Sequence, residues 1–185
     1  MDDLPGFRCS AVRLACSDIL RAVRAAPPVD ASKRQAMQAQ RERDTSPELA
    51  LRRALFSRGL RYRVHRRVVP GVRRTLDVVF PTEKVAVEVR GCFWHACPRH
   101  ATWPKHNAEW WSEKLTRNRA RDKDTEERLK SAGWKVVIVW EHEDAQRAAQ
   151  RVLHVVETRR RRLQARSRRR ESAAAARSRA TAPGK

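Results

Sequence analysis

An aspartate stands second in an otherwise apolar run, Leu76-Asp77-Val78-Val79-Phe80, and this placement constrains the chain more than any other. A carboxylate set among buried neighbours costs several kcal/mol unless something pairs with it. A turn signal at Pro81-Thr82-Glu83 follows, then a second apolar run, Val85 to Val89. Strands joined by so short a loop are expected to pair antiparallel, which puts Asp77 and Glu88 near one end of a hairpin. Glu88 and Arg90 are two apart and share a face, while Val85, Val87 and Val89 take the other. One reading is an ion pair across the hairpin. The other is a site in which carboxylates gather Mg²⁺ beside a cation that meets phosphate.

The next residues carry further chemistry. Cys92, Cys97 and His100 have the short loop spacing of tetrahedral zinc ligands. Three ligands need a fourth, and His142, just after another apolar run, is the first candidate, with His106 behind it. Such a zinc would be structural; a Cys/His loop without metal is the alternative. His95 lies between two of these ligands and would crowd their metal, so it is read as a proton acceptor. Phe93 and Trp94 either plug core space or wedge between DNA base steps.

Lys and Arg number 42 against 21 Asp and Glu, a formal net charge of +21, which points to a polyanionic partner and most simply to nucleic acid. No run of about 18 apolar residues is present, so no membrane span is expected. Asp2 and Asp3 and the lack of an apolar h-region speak against secretion. Four cysteines, two with metal-like spacing, suit a reducing compartment, so the expected location is the cytoplasm, in association with the nucleoid.

Residues 1–31 form a poorly defined extension containing Cys9, Cys16 and a Pro27-Pro28 break, and Met37 is an alternative start. Thr45 and Glu48 fit a capping box, Pro47 a first helical turn and Gly59 a C′ position. Glu48 is therefore either a cap or a carboxylate facing a site. Alternation from Leu60 to Val69 predicts a strand with a basic face that includes His65. Residues 104–132 read as a helix ending at Gly133, with one of Trp110 and Trp111 packed and the other turned out. The strand from Trp134 to Trp140 is expected to be central and buried. The expected organisation is an endonuclease-like domain over 32–144, a basic helix over 145–165 and a disordered Arg/Ala-rich tail over 166–185.

RDTSPE (43–48), LDVVF (76–80), GCFWHACP (91–98), WPKHNAEWW with EKLTRNRARD, and GWKVVIVWEHE (133–143) together resemble the very short patch repair (Vsr) mismatch endonucleases, a branch of the PD-(D/E)XK nuclease superfamily. The resemblance covers roughly residues 32 to 144. It implies an α/β fold, a restriction-endonuclease-like mixed central sheet flanked by helices, with one structural zinc. It also implies Mg²⁺-dependent nicking of one strand at T:G mismatches left by 5-methylcytosine deamination. The partner would be mismatched double-stranded DNA, with other repair proteins as further partners, and the protein a monomer. On this resemblance Asp77 is the principal metal carboxylate and the main-chain carbonyl of Val89 a further ligand. His95 matches the histidine of water activation, and Glu48 the glutamate near the first helix. Phe93, Trp94 and Trp111 match the aromatics that wedge into DNA, and Cys92, Cys97, His100 and His142 the zinc positions. The chain departs from the pattern at two positions: Val89 replaces a threonine and Arg90 a histidine, while Glu88 supplies an acid. Glu88-Val89-Arg90 then approaches the E-x-K of the wider superfamily, with Glu88 helping to hold Mg²⁺ and Arg90 stabilising the charged phosphorane. Two other functions compete: a nuclease of this fold with another DNA target, and a zinc-stapled DNA-binding protein without cleavage.

Overall fold

The computed structural model describes Gln35, residues 43–70 and residues 73–180. The readings made on residues 1–31, including Cys9 and Cys16, and the one on Met37 lie outside these. The element order is α1 (Ser46–Ser57), β1 (Arg63–Arg66), β2 (Leu76–Phe80), β3 (Val85–Arg90), α2 (Ala108–Ser131), β4 (Lys135–Trp140) and α3 (Ala145–Ala180). The strands form one mixed sheet in the order β1-β2-β3-β4. β2 and β3 pair antiparallel as expected, with Val78 opposite Val87 and Phe80 opposite Val85. β3 and β4 run parallel, joined by a crossover through α2.

Helices cover both faces. Leu51, Ala54 and Leu55 of α1 and Ala148, Val152 and Val156 of α3 pack with Val78, Phe80, Val85 and Val87 in one cluster. Leu129 of α2 packs with Leu76, Val79 and Ala86 on the opposite face. Apolar side chains on alternate faces of β3 thus find a helix on each side, the three-layer arrangement that buries a sheet completely. Helix α1 begins after Thr45 with Pro47 in its first turn and ends at Gly59 with φ +78°. Helix α2 ends before Gly133 with φ +80°, so both expected stops hold.

Three expectations need correction. The alternation from Leu60 to Val69 yields only a four-residue strand, within which His65 takes φ +48° and Val64 is 38% exposed. The strand expected to be central is the last in the sheet order; β3 lies inside it, and β4 buries only Val137 and Val139. Its apolar look comes from facing helices on both sides while its far edge stays unpaired among the described residues. Residues 166–180, expected to be disordered, continue α3 to Ala180. Alanine and arginine are among the best helix formers, so the stretch holds a helix while residues 166–174 stay exposed.

Candidate active site

The regular pattern of β2 breaks where its aspartate sits. Val78 and Phe80 pack toward α1 and α3, but Leu76 packs on the α2 face with Val79, although a regular strand would send it to the side of Val78. The cross-strand pairing with β3 stops at Val78. Asp77 thus lies beyond the last β2–β3 pair while its neighbours Leu76 and Val78 still pair with β1, and its Oδ2 accepts the backbone N–H of Val89 at 2.7 Å. Burial pushes its carboxyl up to about 6, the Val89 N–H opposing and the charges of Glu48 and Glu88 adding to the rise.

Polar clusters flank this aspartate from both helical layers. From α1, Glu48 is 5% exposed. It accepts the Asp44 N–H and the Thr45 hydroxyl at 3.0 Å each, and Arg52 Nη2 at 3.0 Å. The capping-box side chains are therefore used, though Thr45 donates to the glutamate rather than capping the helix. The residues at the helix start thereby fix the Glu48 carboxylate. Arg52 also pairs with Asp44 and lies 3.1 Å from His65 Nε2. His65 does not join an exposed basic face as expected; it is partly buried, 3.2 Å from Asp44 Oδ1. Asp44, Arg52 and His65 were missed because their packing depends on the left-handed turns at Asp44 (φ +55°) and His65, which no local signal announces.

On the α2 side, Arg90 is 7% exposed and donates from Nη2 to Glu88 at 2.6 Å and to Glu126 at 3.0 Å. The pair predicted from the i,i+2 spacing exists, but α2 closes it into a buried triad. Burial pushes the Glu88 carboxyl up, with the Arg90 guanidinium opposing. His95 Nδ1 lies 2.6 Å from Asp122 Oδ2. An Nδ1–H donated to Asp122 at this distance is the arrangement that leaves Nε2 as the acceptor. Glu126 and Asp122 lie four apart on one face of α2, and that spacing was the available clue to both.

The four cysteine and histidine donors come together. Cys92 Sγ lies 3.0 Å from His142 Nδ1, and Cys97 Sγ lies 3.8 Å from the same nitrogen and 4.0 Å from His100 Nδ1. All four donor atoms fall within 4.8 Å of one another. Zinc–sulfur and zinc–nitrogen bonds place tetrahedral ligand atoms about 3.3–3.8 Å apart, so this set fits zinc. Burial, reinforced by the Cys97 sulfur, holds the Cys92 thiol up to about 11, a cost that a bound cation would relieve. His106 stands outside the set.

The aromatics gather above this centre. Phe93 stacks edge-on with Trp94 and Trp111 at 5.1 and 5.0 Å, and Trp111 meets Trp110 at 4.8 Å. Trp111 is the buried one of the helical pair, 8% exposed, while Lys114 Nζ sits 4.8 Å over the half-buried ring of Trp110. Phe93 and Trp94 keep part of their surface in solvent.

An α/β sheet that buries acids beside cations at one end, in so basic a chain, is what DNA endonucleases present, and the comparisons with known proteins agree. Residues 29–100 match the family model described as DNA mismatch endonuclease Vsr. The chain is 47% identical over 133 residues to the type II nicking enzyme V.NaeI of Lentzea aerocolonigenes, covering 71% of this chain and 78% of that one. It is 35% identical over 115 residues to the DNA mismatch endonuclease Vsr of Escherichia coli K12, covering 60% and 70%. A solved homing endonuclease I-Bth0305I catalytic domain overlaps 63% of this chain and 98% of its own at TM-score 0.43 and 20% identity. The protein belongs to the Vsr DNA mismatch endonuclease family. No helix among the described residues is long and apolar enough to cross a membrane.

Proposed function

We propose that this protein is a Mg²⁺-dependent endonuclease that nicks one strand of duplex DNA beside a T:G mismatch. The observation that carries the reading is the placement of Asp77, where the β2–β3 pairing ends, between the Glu48 group and the Glu88, Arg90 and His95–Asp122 groups. A Mg²⁺ held by Asp77, the Val89 carbonyl and Glu88 would neutralise charge on the scissile phosphate and acidify a water. Asp122 orients His95 so that Nε2 takes the proton from that water. Arg90 holds Glu88 by hydrogen bonds and opposes the upward push of burial on its carboxyl, and its positive charge meets the developing phosphorane. Glu48, anchored by its cap, adds negative potential behind Asp77. The leaving group is a 3′-hydroxyl. Phe93, Trp94 and Trp111 wedge into the duplex, the exposed edges of Phe93 and Trp94 entering first. Cys92, Cys97, His100 and His142 hold a structural zinc that fixes the loop carrying His95 and the aromatics. Residues 32–144 make up the catalytic unit, acting as a monomer in the cytoplasm.

The test is an assay of the protein and its Asp77→Ala variant with Mg²⁺ on end-labelled duplexes, one with a single T:G mismatch and one fully paired. The expected result is a nick beside the mismatched T by the unaltered protein alone, with a rate loss in the variant of at least about a thousandfold, roughly 4 kcal/mol of barrier. Equal cutting of both duplexes would transfer the activity to another DNA target. Tight binding without any cutting would leave a zinc-stapled DNA-binding protein. Elemental analysis giving one zinc per chain, lost in Cys97→Ser, is the matching check on the metal centre.

A further inference from the structure

The first half of α3 is docked and the second half is not. Ala148, Ala149, Val152 and Val156 are fully buried. Arg159 donates from Nε to the Glu83 carbonyl at 2.8 Å, and Arg160 from Nε to Glu83 Oε1 at 2.8 Å. Beyond Arg160, every residue up to Ala174 is exposed. Residues 161–174 hold six arginines, Arg161, Arg162, Arg166, Arg168, Arg169 and Arg170, and one acid, Glu171; six less one leaves +5. A helix with no apolar face to bury and charge on all sides is built for a polyanion rather than for a protein groove.

Its position separates it from the candidate active site. Helix α3 starts beside the C-terminal end of β4 and runs back antiparallel to it, since Arg159 reaches the carbonyls of residues just before β3. Asp77, Glu88, Arg90, His95 and the four metal donors all lie at the other end of the sheet. Six residues of β3 separate the two ends by about 20 Å. The chain from 145 to 180 contains neither proline nor glycine, so nothing bends the helix back. The ten residues from 161 to 170, which hold the six arginines, carry that charge up to about 15 Å further from the site.

We propose that residues 161–180 are a second DNA-binding arm that grips the phosphates of a duplex segment other than the one being cut. The proposal rests on the endonuclease reading for its choice of DNA as the polyanion. A duplex crossing the catalytic end cannot fold round to the opposite pole over a few turns, because DNA stays straight over about 150 bp. The arm therefore takes either a second DNA molecule or a distant part of a long one. Binding to that segment keeps the enzyme on DNA between encounters with its target.

The test compares the full-length protein with a variant carrying Arg→Gln at 161, 162, 166, 168, 169 and 170, glutamine keeping helix propensity. Binding is measured on a T:G duplex of about 20 bp and on the same mismatch in a duplex of about 1,000 bp, well above the persistence length. Energy transfer between two differently labelled short duplexes reports bridging. The variant is expected to match the unaltered protein within twofold on the short duplex and to lose about tenfold or more on the long one. The slope of log affinity against log salt on the long duplex should flatten by up to about 5, and bridging should vanish. Equal losses on both lengths would overturn the proposal by placing the arm on the cleft DNA, and so would no loss on either. Displacement of the bridged duplex by duplex RNA in preference to duplex DNA would also overturn it. None of these readouts needs cleavage, so the arm stands or falls apart from the nuclease assignment: an uncut duplex that is still bridged refutes only the latter.

Discussion

At the turn end of the β2–β3 pair, Phe80 and Val85 sit opposite each other with 1% and 0% exposure, enclosed by apolar neighbours on both sides. A few residues along the same strands, at the open end, the half-buried acids Asp77 and Glu88 and the buried Arg90 occupy the corresponding place. The backbone differs as well. At the turn end the ladder is regular, with a left-handed residue only in the loop, at Lys84. Around the open end the β2–β3 pairing stops, and Asp44, His65 and Ala96 all adopt left-handed conformations that cost non-glycine residues about 1–3 kcal/mol each. One hairpin therefore carries the core's cohesion at one end and a store of desolvated charge and strain at the other. Stability and chemistry are separable along its length, and substitutions at the two ends should separate them.

The largest effect on folding belongs to the turn end. Phe80 packs edge-on against Tyr62 at 6.2 Å and joins the cluster that binds α1 and α3 to the sheet. Phe80→Ala is expected to cost about 3–5 kcal/mol in denaturant unfolding. The folded fraction should nick with a rate constant within a fewfold of normal, because no residue of the open end touches this ring. A rate loss as large as that of Asp77→Ala would show that the two ends are not independent.

The next effect has the opposite sign. Asp77→Asn keeps an oxygen for the Val89 N–H and removes the buried charge. The Asp77 carboxyl titrates near 6 in the folded chain and near 3.8 when unfolded. Its contribution to stability is thus fully present below about 3.8 and is lost as pH rises through about 6. Two pH units correspond to about 3 kcal/mol as an upper limit. In Mg²⁺-free buffer at pH 8 the variant should therefore unfold at a higher temperature than the unaltered protein, and below pH 4 the two should converge. Adding Mg²⁺ should raise the melting temperature of the unaltered protein alone. A destabilised variant at pH 8 would mean that Asp77 is already neutralised by a neighbouring cation.

How far this arrangement could be read from the chain follows the same division. The turn end was legible: apolar alternation and Pro81-Thr82-Glu83 suffice for the hairpin and its register. The gathering of Cys92, Cys97, His100 and His142 was legible too, since the first three share a short loop and His142 follows a strand parallel to the one before Cys92. At the open end the individual acids stood out against apolar neighbours, but their partners did not. Arg52, His65, Asp122 and Glu126 come from other elements, and an exposed-looking charge on a helix gives no hint of which way it points. β4 misled because a strand covered by helices is as apolar at the edge of a sheet as in its middle. The arm at residues 166–180 misled for the converse reason, since helix propensity alone holds structure that burial does not.

The smallest effect concerns a partner that was not foreseen. Asp122 touches His95 at Nδ1 and nothing at the position of the scissile phosphate follows from its own reach, so it is a positioning residue. An asparagine there can still accept the Nδ1 proton, but its amide can also turn an N–H toward the ring and favour the wrong tautomer. Orienting partners of this kind are worth about 10–100-fold in activity, so Asp122→Asn should slow nicking by about that factor, about 1.4–2.7 kcal/mol of barrier. His95→Ala should lose about 10²–10⁴-fold, and adding Asp122→Asn to it should cost nothing more. A structural role for Asp122 predicts something else: additive losses, and an unfolding transition shifted equally in the single and double variants. The double-mutant cycle on nicking rate, run beside thermal unfolding, decides whether the open end is a set of separate charges or a base held in place by a helix.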